Sequence, residues 1–422
     1  MLNAQKENRC SADLLGTQRC QRVLGYTLLA YMTLMIAIIT LIPFAFSIPK
    51  SVQFTLRGNL SDVFTNIVLF VPLGFFFQII HGQFGLKSSI MALCFGLVVS
   101  GLVEVGQLFL PSRCSSVIDI IMNGSGACLG AAVAGCHQVM VRKGRVPEIF
   151  GFRLPLIWSV YLLVPLLWLG GFSMGNEISR IGLMVLIGIY GGGVISSAIV
   201  NRSMYSSKRI GLAVFSYAAG WFMIGAAPAL TRFPLAILGV GLLVGFAAQL
   251  SCCVWKKNHT TERRFELPTL KRLFPIYLFY LFLLSVWSTT IPLGEWTLRG
   301  DFHSLYQAER VLFIARFVEV IAAFTLLGYL LAEMSGRKKQ TRLGALNLVV
   351  IYILGIAIFT TTLRNIRSEL LFMLVEAFLF AMAGIYGAII YRLQLNVVRG
   401  PRKKRKLKKP SSTACLSVSC KH

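Results

Sequence analysis

The chain has 422 residues, of which 56% are hydrophobic and only 14% charged. Soluble domains carry about 25% charged residues, so this chain lacks the polar surface to coat a globule of its size. The same composition excludes a disordered chain, a disulfide scaffold and a collagen, and leaves an all-α, polytopic integral membrane protein. The net charge of +26, from 42 Lys and Arg against 16 Asp and Glu, would point to nucleic acid in a soluble chain, as would the basic run 402–409. In a membrane chain such residues gather in cytoplasmic loops and tails against anionic headgroups. The expected partners are therefore membrane lipids, and no nucleic acid.

A hydrocarbon core of about 30 Å needs about 20 mostly apolar residues to cross it as a helix. In chain order, that requirement predicts twelve spans: 23–46, 63–80, 87–109, 117–140, 154–174, 181–199, 210–229, 233–254, 273–292, 311–332, 343–363 and 369–391. A signal-peptide core is about 7–15 residues long; the first span is longer and follows a polar leader, so it reads as an uncleaved anchor. With the N-terminus in the cytoplasm, 32 of the 42 basic residues fall in cytoplasmic segments, nine fall outside and Arg316 lies within a span. That asymmetry predicts both termini in the cytoplasm. The chain divides into a cytoplasmic N-tail at 1–22, a four-helix module at 23–140 and a middle four-helix linker region at 141–272. A second four-helix module at 273–392 and a basic, disordered cytoplasmic tail at 393–422 complete it.

Ten cysteines do not make a disulfide framework, because on this topology only Cys114 faces outward and thiols on the other side stay reduced. No cysteine pair has a zinc-ligand spacing, and His81, His137, His259, His303 and His422 are scattered. Neither a metal nor a cofactor is expected.

An ionisable residue inside a bilayer is costly and signals function by default. Such residues concentrate in spans two to four. Asp62 and Asn66 open the second span, four residues apart and on one face. Glu104 and Gln107 close the third, Arg113 lies in the turn after it, and Asp119 and Asn123 open the fourth. On the predicted sidedness all seven lie within about two helical turns of the outer interface, at 1.5 Å rise per residue, and can form one outward-opening pocket. Gly96, Ser100, Gly101, Gly126 and Gly130 are small enough to let these helices approach closely. The competing reading is that Arg113 neutralises Glu104 or Asp119 while the amides hold helices together.

The series Asn66-Ile-Val-Leu-Phe-Val-Pro-Leu-Gly74, Glu104-x-x-Gln107, Pro111-x-Arg113, Asp119 and Asn123-x-x-Gly126-Ala127-x-x-Gly130 resembles the VanZ-like family over about residues 23–140. These are four-span membrane modules named after a teicoplanin-resistance accessory protein. The resemblance implies a bacterial cell-envelope context, a place in the cytoplasmic membrane and a link to glycopeptide resistance. It carries the family pattern onto Asn66, Glu104, Gln107, Arg113, Asp119 and Asn123. Cys114-Ser115-Ser116 departs from it, standing where a more polar or acidic turn is expected.

Ile48-Pro49 with Thr55-Leu-Arg-Gly58 recurs as Ile291-Pro292 with Thr297-Leu-Arg-Gly300, each in the outer loop after a first span. An offset of 254 carries Gly74 to Gly328, Arg113 to Arg367 and Gly130 to Gly384, and predicts a degenerate second copy at 273–391. With that offset Glu104 becomes Ile358, Gln107 Thr361, Asp119 Met373 and Asn123 Ala377, so the copy has lost the chemistry. Arg316 and Glu319 read as an i, i+3 ion pair on one helix face. The middle spans offer no acidic residue within the membrane.

Three functions compete. In the first, Glu104 and Asp119 divide general acid and base roles, Arg113 clamps a phosphate or carboxylate, and Asp62, Asn66, Gln107 and Asn123 bind a lipid-linked or phospholipid-like envelope intermediate. A non-catalytic envelope scaffold is the second. The third, a twelve-span carrier, places its binding groups at the midplane, which this sequence does not.

Overall fold

The computed structural model describes residues 2–48, 54–55, 60–82, 85–111, 115–144, 154–175, 177–202, 207–254, 266–287, 305–335, 342–364 and 370–399. The first unit comprises α1 (Leu2–Leu41), α2 (Leu60–His81), α3 (Leu86–Gln107) and α4 (Val117–Arg142). The middle holds α5 (Pro155–Ser173), a 3-10 turn (Ile178–Arg180), α6 (Ile181–Arg202), α7 (Ser207–Gly225), the short α8 (Ala227–Leu230) and α9 (Pro234–Val254). The last unit is α10 (Glu266–Val286), α11 (Leu305–Ser335), α12 (Arg342–Arg364) and α13 (Leu370–Arg399).

Among the described residues, ten helices are long and apolar enough to cross a membrane. The expected seventh and eleventh spans coincide with two shorter apolar stretches, Ile210–Gly225 and Val349–Leu363. The chain is thus an all-α multi-pass membrane protein. The first span ends earlier than its hydropathy suggests: α1 stops at Leu41 because the next residue precedes Pro43, and a residue before proline is pushed out of the helical region. The all-α expectation has one small exception, a parallel two-residue pairing of β1 (Phe54–Thr55) with β2 (Ser115–Ser116).

Large apolar side chains such as Leu102, Leu212, Leu250, Leu371 and Phe378 are exposed on the outside, as helices facing lipid require. The interior is built around α5, whose Trp158, Leu162, Leu166 and Trp168 are buried and which touches helices of both outer units. Its Trp168 donates Nε1–H to the Ile224 carbonyl at 3.2 Å, and Trp221 of α7 returns a bond of 3.2 Å to the Val160 carbonyl. The two units meet where Tyr31 of α1 packs on Tyr386 of α13, with ring centroids 6.2 Å apart.

The tightest seam joins α2 to α4. A Cβ on Gly74 would lie 1.8 Å from the Ala127 carbonyl oxygen, and one on Gly130 would lie 1.9 Å from the Val71 oxygen and 2.8 Å from the Phe75 nitrogen. Only hydrogen fits at either place, so the two backbones touch. Gly126 meets Ile67 and Gly130 meets Val71, so the two helices run in the same direction. Gly96 of α3 faces Ala127 while Ser100 faces Asn123, so α3 runs opposite to α4. Gly101 has open space around it, and its expected part in helix approach is not seen.

The same backbone contacts recur between α11 and α13. A Cβ on Gly328 would lie 1.8 Å from the Gly384 oxygen, and one on Gly387 would lie 1.8 Å from the Thr325 oxygen and 3.0 Å from the Tyr329 nitrogen. Gly74, Val71 and Phe75 of α2 thus match Gly328, Thr325 and Tyr329 at the offset of 254. Ala127 and Gly130 of α4 match Gly384 and Gly387 at 257, three residues more than the single offset the sequence suggested.

Candidate functional site

The helix directions bring the first turn of α2, the last turn of α3 and the first turn of α4 to one end of the bundle. Six of the seven candidate residues sit there; Arg113 lies outside the described residues, as do Cys114 and Arg367. The six do not share one set of contacts but divide into three.

Asp62, Asn66 and Asp119 form the open part. The Asn66 side chain and the Asp62 carboxylate both lie near enough to the Asp119 carboxylate to act on it electrostatically. Asp62 is exposed, while Asn66 and Asp119 are half-buried. Two carboxylates and an amide from two helices therefore lie near one another, and none of the three is fully buried.

Glu104 is buried and bound to the turn that opens α4. Its Oε2 accepts the Ser116 backbone N–H at 2.9 Å, and the Ser115 hydroxyl donates to its carbonyl oxygen at 3.0 Å. Ser116 is the N-cap of α4 and Asp119 its third helical residue. In a capping box the residue at that third position reaches back to the N-cap N–H; here Glu104 takes that N–H from a neighbouring helix. Asp119 is thereby not needed as the cap of its own helix. The Glu104 charge also sits at the positive end of the α4 dipole.

Gln107 and Asn123 bind neighbouring helices. Gln107 donates Nε2–H to the Thr40 carbonyl of α1 at 3.1 Å, and Asn123 donates Nδ2–H to the Ser100 hydroxyl of α3 at 2.8 Å. The Asn123 side chain is buried, and its Oδ1 has no hydrogen-bond partner among the described residues. It stands one turn below Asp119 on the same face of α4, an acceptor lone pair held at the base of the open cluster.

Sequence reasoning passed over Thr40, Ser115 and Ser116. The serines stood out only as a departure from the family pattern, yet they are what Glu104 holds. A carboxylate that binds a backbone N–H leaves no complementary residue type in the sequence, so spacing had no signal to give. Removing this clamp with Glu104→Ala is expected to cost about 1–3 kcal/mol, the penalty for a buried group left unsatisfied, read as a lower melting temperature of the purified protein. Glu104→Gln, which keeps an acceptor oxygen, should melt close to wild type.

The α11 pair differs from its expected form. Arg316 does not pair with Glu319 three residues on. Its Nη2 bonds Glu177 Oε1 at 2.6 Å, and Glu319 Oε2 instead takes Arg180 Nη2 at 2.7 Å. The middle region thus supplies charged partners from the turn between α5 and α6, just outside the spans that looked free of them.

A family model described as VanZ/LLP1 matches residues 25–142. Protein VanZ of Enterococcus faecium is 26% identical over 111 residues, covering 26% of this chain and 67% of that protein. No solved structure matches. The matched stretch contains α2, α3 and α4 with every candidate residue, so the similarity to VanZ lies in one segment of a longer all-α multi-pass membrane protein.

Proposed function

We propose that the VanZ-like segment binds, and acts on, a lipid-linked or phospholipid-like intermediate of the bacterial cell envelope at the outer face of the cytoplasmic membrane. The observation that carries this reading is the partly exposed Asp62–Asn66–Asp119 cluster, one turn from an Asn123 Oδ1 that has no partner among the described residues. A polar headgroup meets carboxylates and amides there while its tail stays in lipid. Asp119 and Glu104 divide the acid and base roles, and Arg113 supplies the cation for a phosphate or carboxylate. The tie to glycopeptide resistance belongs to this reading, as does the docking of basic loops and tail on anionic headgroups.

Asp119→Asn and Glu104→Gln test it, because both keep a hydrogen-bond acceptor in place and remove only charge. Each should abolish the envelope phenotype at unchanged protein level. Full activity in both would eliminate the catalytic roles. One observation favours a second reading, a non-catalytic scaffold: Glu104, Gln107 and Asn123 each spend a polar group on a neighbouring turn or helix. On that reading the charge-removing pair is harmless, and only variants that loosen a seam lose function.

We also infer that α10–α13 is a diverged duplicate of α1–α4, on the strength of the recurring glycine contacts. With the 257 offset on α13, Asp119 corresponds to Glu376 and not to Met373, and Asp62 corresponds to Arg316 at 254. Glu376 is buried. The second unit has therefore exchanged its polar groups without losing all of them.

A further inference from the structure

The α5–α6 turn and α11 carry two motifs of opposite order, Glu177-x-x-Arg180 and Arg316-x-x-Glu319, and each acid of one meets the base of the other. The two pairs differ in burial. Arg180 and Glu319 are both 1% exposed. The Glu319 carboxylate is fixed by three donors: Arg180, the Ser173 hydroxyl at 2.6 Å and the Tyr280 hydroxyl at 3.3 Å. Arg316 is 6% exposed, but its partner Glu177 is 46% exposed. Glu177 sits two residues after Gly175, whose φ of +52° favours glycine and reverses the chain there.

Three guanidinium nitrogens in this cluster have no partner among the described residues: Arg180 Nε, Arg180 Nη1 and Arg316 Nε. A buried donor left unmade is costly, and three on two neighbouring cations call for oxygen acceptors. Arg180 also lines a cavity with Gly170, Tyr280, Glu319 and the apolar Leu166 and Ile187. Its space open to water centres is about 10 Å³, room for about one water. A fixed, buried cation with unused donors therefore lines a void, and the neighbouring cation is paired with a half-exposed carboxylate.

We propose that this junction is an oxyanion-binding site for a phosphate-type group, with Glu177 as its displaceable internal stand-in. In the closed form four charges cancel. When the Glu177 carboxylate swings out to water, the site gains one net positive charge and Arg316 is opened. A phosphate oxygen then replaces the carboxylate oxygen on Arg316 Nη2, and further oxygens or a bridging water take the unused N–H groups. Guanidinium groups suit this exchange because carboxylate and phosphate present similar acceptor geometry. The site is separate from the α2–α4 cluster and does not depend on the function proposed for it.

The test uses the full chain purified in a neutral detergent, with melting temperature followed against added dioleoyl phosphatidic acid, dioleoylglycerol or inorganic phosphate. Phosphatidic acid should stabilise the wild type. Its half-saturating concentration should fall about tenfold in Glu177→Gln, which removes the competitor, and rise about tenfold in Arg316→Gln, the change expected for one charge-assisted hydrogen bond. Glu177 is half-exposed, so Glu177→Gln decides the matter even where Arg316→Gln folds poorly. Competition by inorganic phosphate identifies a soluble oxyanion as sufficient; its failure to compete identifies a membrane headgroup. Equal stabilisation by dioleoylglycerol, or a Glu177→Gln curve that overlays the wild type, overturns the proposal.

Discussion

Replacing Glu319 alone with leucine is expected to destabilise the protein by about 3–5 kcal/mol, the cost of leaving a buried charge without its partner. Glu319 is 1% exposed and accepts from Arg180, Ser173 and Tyr280. Without it, the Arg180 guanidinium keeps its charge and loses its only anionic contact among the described residues. The double replacement Arg180→Leu with Glu319→Leu removes both charges and should recover most of the loss, since apolar residues of similar volume replace buried pairs at little cost. Melting of the purified variants in detergent reads both effects. A single variant as stable as wild type would mean that this pair does not join α11 to the middle helices.

Gly130→Ala should be among the most damaging small substitutions in the VanZ-like segment. Overpacking a core costs about 1–3 kcal/mol when side chains can move aside. Here the added methyl meets the Val71 oxygen and the Phe75 nitrogen, which are backbone atoms that cannot rotate away. The effect should therefore reach or exceed about 3 kcal/mol, the upper end of that range, and part α2 from α4. Because Asn66 and Asp119 lie on those two helices, the open cluster should be lost with the seam. Gly101→Ala, which meets open space, is the control and should leave both melting temperature and phenotype unchanged.

The membrane class and the position of nearly every helix are legible in the sequence because a bilayer allows few alternatives. Lipid demands long apolar helices and makes each intramembrane charge conspicuous. That is why Asp62, Glu104 and Asp119 stand out before any coordinates. What they touch is less legible. Glu104 holds a backbone N–H, Gln107 holds a carbonyl on α1, and neither partner has a residue type to recognise. The Arg316–Glu319 spacing correctly places two charges on one helix face, but spacing carries no information about which other segment approaches that face. The turn at Glu177–Arg180 lies between two spans, where a charge is ordinary and attracts no notice. On the proposed duplication, the three-residue slip between α4 and α13 is invisible for a similar reason: apolar helices align equally well at several offsets, and only the touching backbones distinguish them.

The most direct test of the proposed outward polar site is a cryo-electron-microscopy map of the purified full chain in native lipid. The account predicts headgroup density against Asp62, Asn66 and Asp119 at the mouth of α2, α3 and α4, with Arg113 turned toward it. A map with no density there, and with Glu104, Arg113 and Asp119 directed into separate packing seams, would contradict it.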